Sequence, residues 1–176
     1  DSVDIINSNV DVVKGDAVDY NNMIDFIDDN SMSVQANYEY IKTQMDVINY
    51  INYEETRIYY AATDWPNNNI KYWRPKDHSH PWRWILWDTD RSTLLRASHN
   101  TDVNHNTLSW ATTSGSIPDW AQFLLNNLLL NAEFKADFIT QFAHNINFTF
   151  CPNRVDSIIN FFRDRLSFEE PAHIQR

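Results

Sequence analysis

Four oxygen-bearing side chains, Asp64, Asn69, Asp88 and Asp90, have the spacing that reads most directly as chemistry. Asp64 and Asn69 stand five residues apart in Thr63-Asp64-Trp65-Pro66-Asn67-Asn68-Asn69, a stretch that cannot be regular structure. Pro66 lacks an amide hydrogen and pushes Trp65 away from helical angles, and asparagines favour turns through side-chain to backbone bonds. Asp88 and Asp90 follow roughly twenty residues later. In such a set one carboxylate can orient and deprotonate an acceptor hydroxyl. An amide oxygen and a second carboxylate can hold Mg²⁺, which prefers hard oxygen ligands, against nucleotide phosphates.

The same letters admit other readings. Protein-kinase catalytic loops place an Asn five positions after an Asp, with the metal-holding Asp beyond a short hairpin, and the spacing here fits that arrangement. An Asp-x-Asp at a strand end also holds the metal of many nucleotide-sugar glycosyltransferases. In the plainest case Asp64 caps a turn with Asn67 and Asn68, and the Asp88/Asp90 pair anchors a loop. Seven tryptophans, four of them in or next to one expected hairpin, would suit either an apolar core or a stacking platform for glycans; the core is the stronger expectation, because the hairpin must pack its aromatic face on helices. His78-x-His80 lies in an expected turn, and with His99 and His105 it reads as solvated histidine, since no Cys or paired Glu completes a zinc set. Arg91 and Arg96 lie just past the acidic pair and could pair with carboxylates or meet phosphate, the carboxylates being the stronger expectation.

Composition narrows the field. The chain has 176 residues, with 14 Lys and Arg against 24 Asp and Glu, a formal net charge of −10. That balance argues against nucleic acid and against anionic membrane surfaces, which need clustered cations. No apolar run is long enough to span a bilayer. Only Gly15 and Gly115 occur, so no Gly-rich phosphate loop is present. The single Cys151 excludes an internal disulfide and a cysteine zinc cage.

The elements that must position the four side chains follow from periodicity. Residues 1–15 suggest a strand or hairpin through Val3, Ile5, Val10 and Val12. Asp16 is placed to cap a helix over Ala17–Asp28, with Val18, Met23, Ile24 and Ile27 inward. A short helix is expected over Ser33–Met45. Asp46 caps a third from Val47 to about Ala61, marked by Ile48, Ile51 and Ile58. The aromatic runs Ile70–Arg74 and Trp82–Trp87 read as paired strands about the turn Pro75–Pro81. Residues 91–116 read as a loop. Three helices close the chain: Asp119–Asn131, Ala132–Asn147 and Pro152–Phe168, each with an apolar stripe. The stripes are Trp120, Phe123, Leu124, Leu128 and Leu129; Phe134, Phe138, Ile139 and Phe142; and Val155, Ile158, Ile159, Phe162 and Leu166. The expected class is α+β and mainly helical.

The strings Tyr60-Ala61-Ala62-Thr63-Asp64-Trp65-Pro66-Asn67-Asn68-Asn69-Ile70-Lys71-Tyr72-Trp73-Arg74 and Trp82-Arg83-Trp84-Ile85-Leu86-Trp87-Asp88-Thr89-Asp90 closely resemble the spore-coat protein H (CotH) kinase family. Asn106-Thr107-Leu108 and the stretches from Asn131 and Phe148 look like it too, so the resemblance runs from about Val3 to Arg176. It implies an atypical protein-kinase-like fold in a secreted or surface-associated bacterial protein that phosphorylates Ser on proteins, using ATP and Mg²⁺ or Mn²⁺. On this resemblance Asp64 looks like the catalytic-loop Asp, Asn69 the metal-holding Asn, Asp88 the metal Asp and Asp90 its acidic neighbour. Trp65, Pro66, Trp73 and Trp84 look like the packing that holds the loop. Residues 1–176 would then be a single partial domain, the carboxy-terminal catalytic-loop lobe, with a nucleotide-gripping lobe expected before Asp1 and little activity expected without it. Where many relatives continue Phe-Gly after the second Asp, this chain has Arg91-Ser92. A non-catalytic pseudo-kinase, or an aromatic-rich binding module, is the alternative.

Overall fold

The computed structural model describes residues 2–62, 64–92 and 105–169. It is α+β and mainly helical, in the order β1 (Val3–Asn7), β2 (Asp11–Lys14), α1 (Val18–Asp29), α2 (Gln35–Gln44), α3 (Val47–Tyr59), β3 (Lys71–Pro75), β4 (Arg83–Trp84), α4 (Thr107–Thr113), α5 (Asp119–Leu128), α6 (Ala132–His144) and α7 (Pro152–Leu166). Contacts group these into two compact units, Asp1–Asp137 and Phe138–Arg176.

In the first unit an antiparallel sheet of order β2-β1-β3-β4 packs one face against helices. Ile6 pairs with Tyr72, and Tyr72 with Trp84, so their side chains share one face. Tyr72 stacks on Tyr20 of α1 at 4.1 Å, and Trp84 meets Tyr50 of α3 edge-on at 4.7 Å. Trp82, fully buried, fixes where the sheet meets the helices: its amide donates to the Gln44 carbonyl (2.9 Å) and its carbonyl accepts from the Asp46 amide (2.9 Å). Asp46 in turn caps α3 by accepting from the Asn49 amide at 3.0 Å. Of the four tryptophans in or next to the hairpin, Trp82 and Trp84 are core, Trp73 is half-buried and Trp87 is exposed; Trp65 of the preceding turn is buried.

Several expected inward residues face outward. On β1 the buried pair is Asp4 and Ile6, with Val3 and Ile5 half-buried, and all of β2 is exposed. Asp4 goes inside because its carboxylate is needed there: it accepts from the Asp16 amide (2.9 Å) and lies 3.4 Å from the Lys76 ammonium. Gly15 makes this turn possible at φ +76°. A Cβ there would collide with Asp4 Oδ1 and lie 2.9 Å from the Val3 carbonyl oxygen. Gly15→Ala is accordingly expected to cost about 2 kcal/mol of stability, read from urea denaturation midpoints.

On α1, Val18 is exposed and Tyr20, Met23 and Ile27 are buried. On α3, Ile48 is exposed, and the buried face is Val47, Tyr50, Ile51, Tyr53, Glu54, Glu55 and Arg57. The second strand of the hairpin is only Arg83–Trp84. Its last ladder bond is Ile85 amide to Lys71 carbonyl (2.8 Å), after which the chain leaves the sheet. The stretch read as a loop over 91–116 contains α4. Asn106 caps it from its side chain to the Ser109 amide (2.9 Å), and Thr107 and Ala111 are buried. Arg96 and His99 lie outside the described residues.

In the second unit α6 runs into a π-helical turn, Asn145–Thr149, before Cys151 and α7. Cys151 supplies no side-chain cap, as its chemistry implies. Pro152 opens α7 at a position where its missing amide costs nothing. The stripe expected to be inward on α7 is open: none of its residues is buried, and Ile158, Ile159, Phe162 and Leu166 are exposed. Ile139 of α6 is exposed as well, while Phe138 is buried. Among the described residues no helix is long and apolar enough to cross a membrane.

Candidate functional site

The end of α3 and the departure of the chain from β4 bring the two acidic turns together. Residues 64–69 form consecutive turns, with a cis bond between Trp65 and Pro66. Trp65 is buried and its carbonyl accepts from the Trp110 indole nitrogen of α4 at 3.2 Å. The turn is thereby pinned from outside, and Asn69 ends it at φ +57°, 5% exposed. Asn69 Nδ2 donates to Asp64 Oδ2 at 2.7 Å, so the five-residue spacing closes into a direct bond. Asp64 Oδ1 is also buried but has no hydrogen-bond partner among the described residues. A carboxylate oxygen left in that state is costly unless something electropositive meets it.

Asp88 lies on the second turn at φ +51° and is exposed, as is Asp90. Asn and Asp tolerate the left-handed region better than other side chains, at about 1 kcal/mol each. The Asp88 and Asp90 side chains share a hydrogen bond, which raises the Asp88 pKa above the usual carboxylate value. Partial desolvation and repulsion from Asp90 and Asp64 push the same way, and the Arg57 charge opposes them. Three carboxylates therefore feel one another across two turns that are distant in sequence.

Arg57 ties those turns together, and reading the sequence did not single it out. It is 1% exposed. Its Nη2 donates to the carbonyls of Asn69 (2.8 Å) and Trp87 (2.6 Å), and its Nη1 to the carbonyl of Asp88 (3.2 Å). The Tyr53 hydroxyl adds a bond to the Asn69 carbonyl at 3.3 Å, and the Arg57 guanidinium lies 5.5 Å from the Tyr53 ring centre. A signal was present: Tyr50, Tyr53, Glu54 and Arg57 recur at helical spacing on α3.

Beside this cluster Glu54 is buried, and burial pushes its carboxyl up to about 8, against weaker pulls downward from a Tyr50 hydrogen bond and from Arg57. Its Oε2 has no hydrogen-bond partner. It borders a cavity of about 40 Å³ whose walls include Tyr20, Tyr50, Tyr72, Trp84 and Trp120. On the acidic side, Tyr60, Leu86, Thr89 and Ser92 line an open groove of about 310 Å³.

The donor set suits a hard divalent cation. Asp64 Oδ1 lacks a partner among the described residues, the Asp88 and Asp90 carboxyls crowd one another, and the Asn69 amide has its nitrogen turned to Asp64, which makes its oxygen the end available to a cation. Among the described residues no three His, Cys, Asp or Glu side chains are gathered as a ready metal cage. Magnesium asks for less, because it keeps several waters and takes one or two carboxylates plus phosphate oxygens. His78 is engaged elsewhere: its Nε2 lies 3.2 Å from Asp19, which also binds Arg74.

The comparison with protein families covers both turns. A family model described as CotH kinase protein matches residues 5–175, nearly the whole length. The chain belongs to the CotH kinase family. No curated protein and no solved structure matches it.

Proposed function

We propose that the chain is the catalytic-loop part of a CotH-like atypical protein kinase. The reaction is transfer of the ATP γ-phosphate to a Ser hydroxyl of a secreted or bacterial cell-surface protein. A nucleotide-gripping lobe of the same protein would complete the domain, of which residues 1–176 are one part. The observation that carries this reading is the Asp64–Asn69 hydrogen bond, held next to Asp88 and Asp90 by one buried arginine.

The roles follow from the chemistry of each group. Asp64, fixed by Asn69, accepts the proton of the acceptor hydroxyl as the oxygen attacks phosphorus. Asn69, Asp88 and Asp90 would hold magnesium, or manganese. When bound, that ion neutralises charge on the β- and γ-phosphates. Asp88 feels both a hydrogen bond to Asp90 and repulsion from its carboxylate neighbours, and a cation held there would relieve that crowding. The groove lined by Tyr60, Leu86, Thr89 and Ser92 has room for part of a substrate, at the small end of ligand-site volumes. Buried Trp65 and Pro66 keep the turn from relaxing during the reaction.

The test is thermal unfolding with and without Mg-ATP. The full-length protein that carries this chain, with its nucleotide-gripping lobe, is expected to melt several degrees higher with the nucleotide, since a ligand that binds only the folded state stabilises it. Asp88→Asn is expected to abolish the shift. An equal shift in Asp88→Asn would remove Asp88 from the site. A shift produced by ATP without any divalent cation would remove the metal.

A further inference from the structure

Resting on the reading above, we infer that Arg57 is the positioning residue of the site: its single guanidinium sets the Asp64–Asn69 turn and the Trp87–Asp90 segment in register. Both segments need such a device. Trp87 and Asp88 lie past the last sheet bond, Ile85 to Lys71, so the ladder no longer fixes them. Asn69 and Asp88 both adopt left-handed backbone angles, at φ +57° and φ +51°, which persist only where the surroundings impose them. Arg57 bonds the carbonyl of each of these two residues, at 2.8 Å and 3.2 Å, and that of Trp87 at 2.6 Å.

The residue type matters as much as the position. A guanidinium is a planar fork whose nitrogens face in different directions, so one side chain can bond two turns at once. Lysine places one compact charge and would have to choose between them. The bonds from Arg57 to the two turns all end on backbone carbonyls. They therefore govern where the Asn69 and Asp88 side chains start, without competing for the oxygens that would meet a cation. Arg57 stands in the last turn of α3, a rigid element whose other end is capped by Asp46. The two turns are thus referenced to a helix rather than to each other. Residues that orient metal ligands from behind commonly change metal affinity 10- to 100-fold when replaced.

The test uses the whole chain, with Arg57→Lys and Arg57→Gln, and two readouts. The first is amide hydrogen exchange without metal. Faster exchange is expected in 64–70 and 86–90 in both variants, with α1 and α2 unchanged. The second is Mn²⁺ binding, followed by the paramagnetic signal of the free ion. The dissociation constant is expected to rise about tenfold or more, with far-ultraviolet circular dichroism retained. Unchanged exchange in both segments, or unchanged Mn²⁺ affinity in variants that exchange faster, overturns the positioning role. Weakening that tracks the unfolded fraction of each variant also overturns it, because the role would then be structural only. If wild type takes up no Mn²⁺, the metal reading fails, and the exchange result alone decides whether Arg57 joins the turns.

Discussion

Asp64→Asn is expected to slow phosphoryl transfer about 10³-fold in the protein that carries this chain, with almost no change in its stability. The substitution keeps the shape. An amide oxygen can still accept from Asn69 Nδ2, the bond seen at 2.7 Å, so the turn should hold. What is lost is the negative charge and the capacity to take a proton. A positioned general base contributes about 10²- to 10⁴-fold, and an asparagine contributes none of that. The loss should fall on kcat, with the KM for ATP nearly unchanged, because Asp64 is assigned to the acceptor hydroxyl and not to the nucleotide. Rates with radiolabelled ATP over a range of ATP concentrations check this. A change in KM alone would reassign Asp64 to nucleotide binding.

Stability should fall as pH rises from about 4.5 to about 8, and Glu54→Gln should remove that fall. Burial raises the Glu54 carboxyl from 4.5 to about 8, so the folded chain holds a proton that the unfolded chain has released across this window. With more protons bound to the folded state, the free energy of unfolding decreases with pH. The contribution is whole below about 4.5, declines by about 1.4 kcal/mol per pH unit, and is gone above about 8. Glutamine has the size of the protonated acid and carries no charge at any pH. At pH 8 the variant should therefore be more stable than wild type by several kcal/mol, on the order of 4, and at pH 4.5 nearly equal to it. Urea denaturation across the pH range checks both ends. Parallel curves for the two proteins would mean that Glu54 is ionised at a site better solvated than its burial implies.

What could be read in advance depended on how local the cause was. Every helix except α4, the first hairpin, the Asp46 cap and Pro152 at the first position of α7 depend on a few neighbouring residues, and each stands close to where pattern placed it. Asp64 with Asn69, and Asp88 with Asp90, could be read as pairs for the same reason. Their approach across the fold is not local. It depends on Arg57, whose identity as a buried residue contradicts ordinary expectation for a charge. Glu54 escaped notice likewise, because the isoleucines Ile48 and Ile58 drew attention to the wrong face of α3. The buried face of α3 carries Glu54, Glu55 and Arg57, and apolar pattern alone does not reveal such residues.

The second strand of the hairpin shows another limit. Trp82–Trp87 alternates well enough for a strand, yet only Arg83 and Trp84 pair with β3. Trp82 bonds to the segment after α2, and Asp88 turns the chain away at φ +51°. Both are tertiary effects. The open stripe of α7 follows the same logic in reverse, since periodicity marks an apolar face without saying what covers it.

Asn69, Asp88 and Asp90 are proposed to serve one cation beside Asp64. The most direct measurement is a crystal grown with Mn²⁺ and a non-hydrolysable ATP analogue, with anomalous density recorded at the manganese edge. One strong peak is expected, bonded to the Asn69 amide oxygen and to an Asp88 or Asp90 carboxylate oxygen, with Asp64 facing the terminal phosphate. A peak bonded elsewhere, or density at the nucleotide with none at these side chains, would contradict it.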